Sequence, residues 1–278
     1  MGTRNWKRRA GPQSSVRHLG TLRRVRRHDH DAAGDPAILA AKASLREEIW
    51  SAMSVKGVAR FPAPDGRIPN FVGAEAAARR LANTAEWAQA ATVKANPDSP
   101  QWPVRQRALD EGKLVYMAVP RLTDERPFLL LDPERLHGLA RSASSIKGAA
   151  QSGVRVDITE VEPVDLVVAG CVAVGRDGAR LGKGGGFSDL EFAVAAGAGL
   201  VDRRTVVVTT VHARQLVGAG RVPRTPHDIH VDVIVTPDEV LRCPRPSGHR
   251  LASIRWQELS EEKIASIPML GRLRAACR

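Results

Sequence analysis

The chain has 278 residues, 43% of them hydrophobic and 26% charged, and a formal net charge of +12. That length suits one large α/β domain or two small ones. Nine Lys and Arg residues fall within residues 1–31, against only Asp29 and Asp31, so the head holds most of the excess charge and the body is mildly basic. The scattered Cys171, Cys243 and Cys277 form no C-x-x-C pair, which excludes a cysteine zinc site and fits a reducing, cytoplasmic setting. No apolar run is long enough for a signal-peptide core or a membrane span.

Residues 1–34 lack apolar periodicity and are expected to be disordered. Contact with nucleic acid would run only through this basic head. Asp35-Pro36 predicts a helix start, an N-cap followed by proline, and Ile38, Leu45, Ile49 and Met53 continue at helical spacing. "FPAPDGRIPNF" (61–71) is a loop, 74–89 a second helix, 92–101 a short strand and loop, and 104–112 a short helix. Apolar strand-like runs follow at 113–119, 128–132, 165–174, 204–211 and 231–236. Such runs alternating with helical patterns predict a three-layer α/β sandwich from 35 to 243, with a mostly parallel central sheet and helices on both faces. Residues 244–278 read as a polar linker and a short C-terminal helix. The chain is expected to be a monomer.

Ligands in such sheets sit beyond the carboxyl ends of the strands. The stretch "RLGKGGGFSDLEFA" (180–193) falls there. It fails the Walker pattern, because Gly184 follows Lys183, and it fails G-x-G-x-x-G, because Phe187 and Asp189 stand where glycine is needed. What remains is a glycine cluster with Arg180 and Lys183, leading into an expected capping box with Ser188 as N-cap and Glu191 three residues on. That is an anion site by dipole and by backbone N–H groups, with Asp189 placed to hold Mg2+ riding on phosphates. Lys42 shares the helical stripe of Ile38, Leu45 and Ile49 and points inward, where it needs an anion unless it snorkels to solvent. Asp232 interrupts an apolar strand and needs a metal or a buried Arg. His212, ending the strand 204–211, is either a substrate contact or a satisfied rim histidine.

The stretch "DLVVAGCVAVGRDGARLGKGGGFSD" resembles the signature of the 5-formyltetrahydrofolate cyclo-ligase family, and "GRIPNFVGA", "VKANPDSPQWPVR" and "TVVVTTVH" resemble its synthetase-domain-containing subgroup. The resemblance covers about 36–243. It implies a NagB/RpiA/CoA-transferase-like fold. It also implies ATP- and Mg2+-dependent conversion of 5-formyltetrahydrofolate to 5,10-methenyltetrahydrofolate through a phosphorylated formyl group. Arg180, Gly182, Lys183, Gly184, Gly186 and Asp189 match the family's nucleotide and metal loop, with Gly185, Phe187 and Ser188 completing the stretch. Lys42 and Arg46 match its Lys-x-x-x-Arg, and Asp232 matches a carboxylate near the site. Lys42, Arg180 and Lys183 are thereby implied as catalytic. The chain departs from the family where paired tyrosines become Phe187 and Ser188, and where the folate-holding glutamate is absent near Pro97-Asp98-Ser99. Asp98 and Ser99 are the nearest substitutes for substrate binding. Those departures keep one alternative, an ATP-dependent ligase acting on another small carbonyl compound, and the basic head keeps another, a degenerate nucleic-acid-binding or regulatory relative.

Overall fold

The computed structural model describes residues 35–247 and 253–276; the basic head and Cys277 lie outside them. Helix α1 (Pro36–Met53) begins as expected, with Asp35 accepting from the N–H of Ala37. The predicted second helix is two, α2 (Ala74–Ala82) and α3 (Ala85–Gln89), because the Thr84 hydroxyl caps a new start. There follow β1 (Thr92–Ala95), α4 (Trp102–Asp110), β2 (Leu114–Ala118) and β3 (Phe128–Leu131). The stretch to residue 156 holds three short helices, α5 (Pro133–Leu136), α6 (Ala140–Ala143) and α7 (Ile146–Ser152), and then β4 (Val154–Val156). The apolar run at 165–174 divides into β5 (Leu166–Val168) and β6 (Ala173–Gly175), and β6 turns back as β7 (Arg180–Leu181). Helix α8 (Phe187–Gly197), β8 (Val206–Thr210), β9 (Leu216–Val217), β10 (Val233–Val235) and β11 (Val240–Arg242) complete the body. Two further helices, α9 (Glu261–Ser266) and α10 (Pro268–Ala276), come after it.

The main sheet has eight strands in the order β11-β10-β8-β5-β1-β2-β3-β4. The stretch from β10 to β2 is parallel, and β11, β3 and β4 pair antiparallel at the edges. Successive side chains of a strand face opposite sides, and here both sides are apolar. Val93, Ala95, Val115, Val168, Val208 and Val235 pack with α1, α2 and α4. Tyr116, Val167, Val207 and Ile234 pack with Leu190 and Val194 of α8. The expected three-layer sandwich is therefore present, its hydrophobic runs continuous where the central strands are covered twice.

The segment after Cys243 does more than link. Ile264, Ile267, Met269 and Leu270 are buried in the same core as α8. The periodicity of so short a stretch gave little sign of this.

Candidate functional site

A cleft of about 460 Å3 opens beyond the carboxyl ends of β1 and β2, facing the amino end of α8. Its walls include Asn96–Ser99, Ala118–Leu122 and the loop from Gly182 to Asp189. The hairpin of β6 and β7 delivers that loop. Gly184 and Gly186 stand at φ +116° and +66°, conformations that cost glycine nothing and other residues strain. Gly186 is the N-cap of α8 and supplies no side-chain hydrogen bond, so the helix opens on the cleft with its first N–H groups uncapped by any side chain.

The expected capping box is therefore corrected. The left-handed Gly186 starts α8 before Ser188, which lies inside the helix, and Glu191 turns away to a buried ion pair with Lys94 of β1. Burial outweighs Lys94 and pushes the Glu191 carboxyl up from its ordinary value.

Cations gather around the loop in two shells. The inner pair is neutralised. Arg180, 3% exposed, sends Nη2 to both oxygens of Asp189 at 2.6 Å and Nη1 to the carbonyl of Gly170 at 3.0 Å. Burial works against the Asp189 carboxylate, yet Arg180 and the N–H of Ile229 hold it below the ordinary carboxylate range. Lys42, 6% exposed, does point inward, and its anion is Asp228, with both oxygens at 2.7 Å. The outer pair faces the loop. Arg46 donates through Nε to the carbonyl of Gly182 at 2.8 Å, and its guanidinium lies 3.8 Å from where a Cβ on Gly184 would stand. Burial lowers the Arg46 pKa, and the like charge of Arg180 adds to this. Lys183, half exposed, reaches across to Asp98 at 3.1 Å.

Two expected metal ligands do not fit a metal. Both oxygens of Asp189 are committed to Arg180, and Asp232, at the amino end of β10, is gripped by Arg245 at 2.6 Å. The two are held by different partners, and no group of three His, Cys, Asp or Glu among the described residues could hold an ion. Asp232 thus has the arginine alternative, from a residue beyond the predicted domain end. His212 has the rim alternative: its Nδ1 accepts from the N–H of Arg214, and its ring edge meets Phe71. Burial and the neighbouring Arg214 lower its pKa.

Several supporting residues were not legible in the sequence. Arg105, buried on α4, donates to the carbonyls of Asn96, Asp98 and Ser144 at 2.6, 3.1 and 2.8 Å, so one guanidinium fixes the loop that carries Asp98. Burial lowers its pKa to about 10. From the tail, Lys263 donates to the carbonyl of Gly185 at 2.9 Å and lies over the Phe187 ring. Glu258 meets His227, which touches Thr225, itself a partner of Lys42. A second concavity between α2 and β11 is lined by Arg79, Arg80 and Arg242, but Arg80 is engaged by the carbonyl of Pro237 and Arg242 by Glu86.

An α/β fold with a cleft at its strand ends, lined by a glycine loop and a helix start, is the class this defines. Residues 38–237 match the model of the 5-formyltetrahydrofolate cyclo-ligase family, and the chain belongs to that family. It is 38% identical over 240 residues to a methenyltetrahydrofolate synthase domain-containing protein of Mus musculus, covering 84% of this chain and 63% of that protein. The Homo sapiens protein of the same name is 36% identical over 245 residues, covering 86% and 63%. The chain thus spans less than two thirds of these relatives' length. Among solved structures it is similar to a 5,10-methenyltetrahydrofolate synthetase of Aquifex aeolicus, with TM-score 0.47, 21% identity and coverage of 77% and 98%.

Proposed function

We propose that the chain closes the ring of 5-formyltetrahydrofolate at the expense of ATP. The observation that carries this reading is the glycine loop, an uncapped helix start with Arg46 and Lys183 beside it, opening on a cleft of about 460 Å3. The loop N–H groups and the outer cations would hold the nucleotide's phosphates. The formyl oxygen attacks the γ-phosphorus and ADP leaves. The N10 lone pair then attacks the activated formyl carbon, N10 gives up its proton to the departing phosphate, and phosphate leaves with the formyl oxygen, giving the methenyl bridge. The protein's part is positioning and charge neutralisation. Arg180 and Lys42, already paired, would hold the loop in shape rather than meet phosphate directly.

Mixing protein, ATP, a magnesium salt and 5-formyltetrahydrofolate should raise methenyl-tetrahydrofolate absorbance. Nucleotide binding without turnover would remove the folate half and leave the anion site. A ligase on another carbonyl compound is favoured by one observation: Asp98 and Ser99 line the cleft where the family glutamate is missing. Thermal shifts with folates against other amides, ATP present, separate the two.

A further inference from the structure

From Gly182 to Gly186 the backbone is held through its carbonyls. Arg46 of α1 donates to that of Gly182 at 2.8 Å, and the N–H of Leu190 to that of Gly186 at 3.0 Å. Lys263 of α9 donates to that of Gly185 at 2.9 Å. Among the described residues, no hydrogen bond engages the N–H groups of Lys183, Gly184, Gly185 or Gly186.

A trans peptide unit is planar, so its C=O and N–H point opposite ways. Whatever fixes the Gly185 carbonyl therefore also aims the N–H of Gly186. The direction follows from where Lys263 stands. Gly186 borders both the cleft and a small cavity behind it, and Lys263 lines that cavity with Leu190, Ala193 and Leu259. With the Gly185 carbonyl drawn back toward the ammonium, the Gly186 N–H turns to the cleft side.

The side chain is firmly mounted for this. The Lys263 N–H donates to the Ser260 hydroxyl at 3.1 Å, and Ile264 beside it is buried. The ammonium also lies 4.8 Å from the centre of the Phe187 ring, a favourable place for a cation. The tail does not depend on this contact for its own seat, because Ile264, Ile267, Met269 and Leu270 already fill the core with α8. The bond serves the loop.

We infer that Lys263 is a positioning residue for the nucleotide site, supplied by the segment beyond residue 237, where the family match ends. It holds the glycine turn with its amides toward the cleft before any phosphate arrives. That removes the ordering cost which a loose loop would add to binding. The inference rests on the proposed function in taking this loop as the phosphate site.

Lys263→Met keeps the apolar stem and removes the donor, whereas Lys263→Arg keeps a donor of similar reach. In the ligand-free protein, amide NMR order parameters at Gly184, Gly185 and Gly186 should fall from roughly 0.85 in the parent to below about 0.6 in Lys263→Met. Calorimetric ATP affinity should drop roughly tenfold, the scale of one lost charge-assisted hydrogen bond. The KM for ATP should rise by the same factor while kcat is kept. Lys263→Arg should restore all of these. An equally ordered loop in Lys263→Met overturns the inference, and so does parent-like ATP affinity with a loosened loop. A lower thermal midpoint in Lys263→Met, with ATP binding not recovered in Lys263→Arg, also overturns it, since the residue would then merely seat α9. If the parent binds no ATP, yet the loop loosens in Lys263→Met and tightens again in Lys263→Arg, the positioning role stands and the nucleotide reading fails.

Discussion

Lys42 and Arg180 on one side, Arg46 and Lys183 on the other, are cations of similar sequence promise around one loop, yet they do different work. The first two are buried and each is clamped by a carboxylate, Asp228 or Asp189. Arg46 is part-buried and donates to the Gly182 carbonyl, and Lys183 is half exposed and pairs with Asp98 at the cleft wall. A buried charge is tolerated when its counter-ion comes with it, and removal of one partner leaves the other stranded. On the proposed reading, depth therefore divides scaffold from reader, where residue type alone does not.

Breaking the inner shell should have the largest effect. Arg180→Met strands Asp189 and should destabilise the fold by about 3–5 kcal/mol, seen as a large drop in thermal midpoint. A parent-like midpoint with lost nucleotide binding would move Arg180 to the reading side. The same pair sets an acid limb. Because Arg180 and the Ile229 N–H hold the folded Asp189 carboxyl below its ordinary value against the effect of burial, its stabilisation is complete above the unfolded carboxylate range. It is lost as pH falls through the lower folded value. Urea midpoints measured downward from pH 6 should fall less steeply in Asp189→Asn than in the parent.

Next comes the loop backbone. Gly184→Val forces a branched residue to φ +116°, at a strain of about 1–3 kcal/mol, and fills space beside Arg46. Calorimetry should show ATP binding abolished; retained affinity would mean the glycines serve only the turn. The smallest stability effect belongs to Lys183→Ala, within roughly 0.5 kcal/mol for an exposed side chain. Its cost should appear in ATP affinity instead, about 1.5–3 kcal/mol for a lost charge-assisted contact. A variant that loses stability but not affinity would erase the distinction between the shells.

Features encoded within a few residues could be read from the sequence, and those set by distant partners could not. The Asp35 cap, the apolar strands and the glycine loop are local patterns, and the structure has them. Glu191 looked like half of a capping box because Ser188 stands three residues before it. Only Lys94, almost a hundred residues away on a central strand, turns it inward. Asp232 was ambiguous for the same reason, with its arginine outside the segment that seemed to matter. Lys42 was read as inward from its stripe, but its anion lies in an irregular stretch near residue 228 that carries no periodic signal.

The tail's grip on the loop bears on where this family member can be cut. The family match ends at residue 237, while Lys263 holds the Gly185 carbonyl and Ile267 and Leu270 complete the core under α8. A fragment trimmed to the matched span would leave α8 with one flank wet and its glycine turn unanchored. The unit that can be inherited, swapped or expressed on its own is therefore longer than the unit by which the family is recognised.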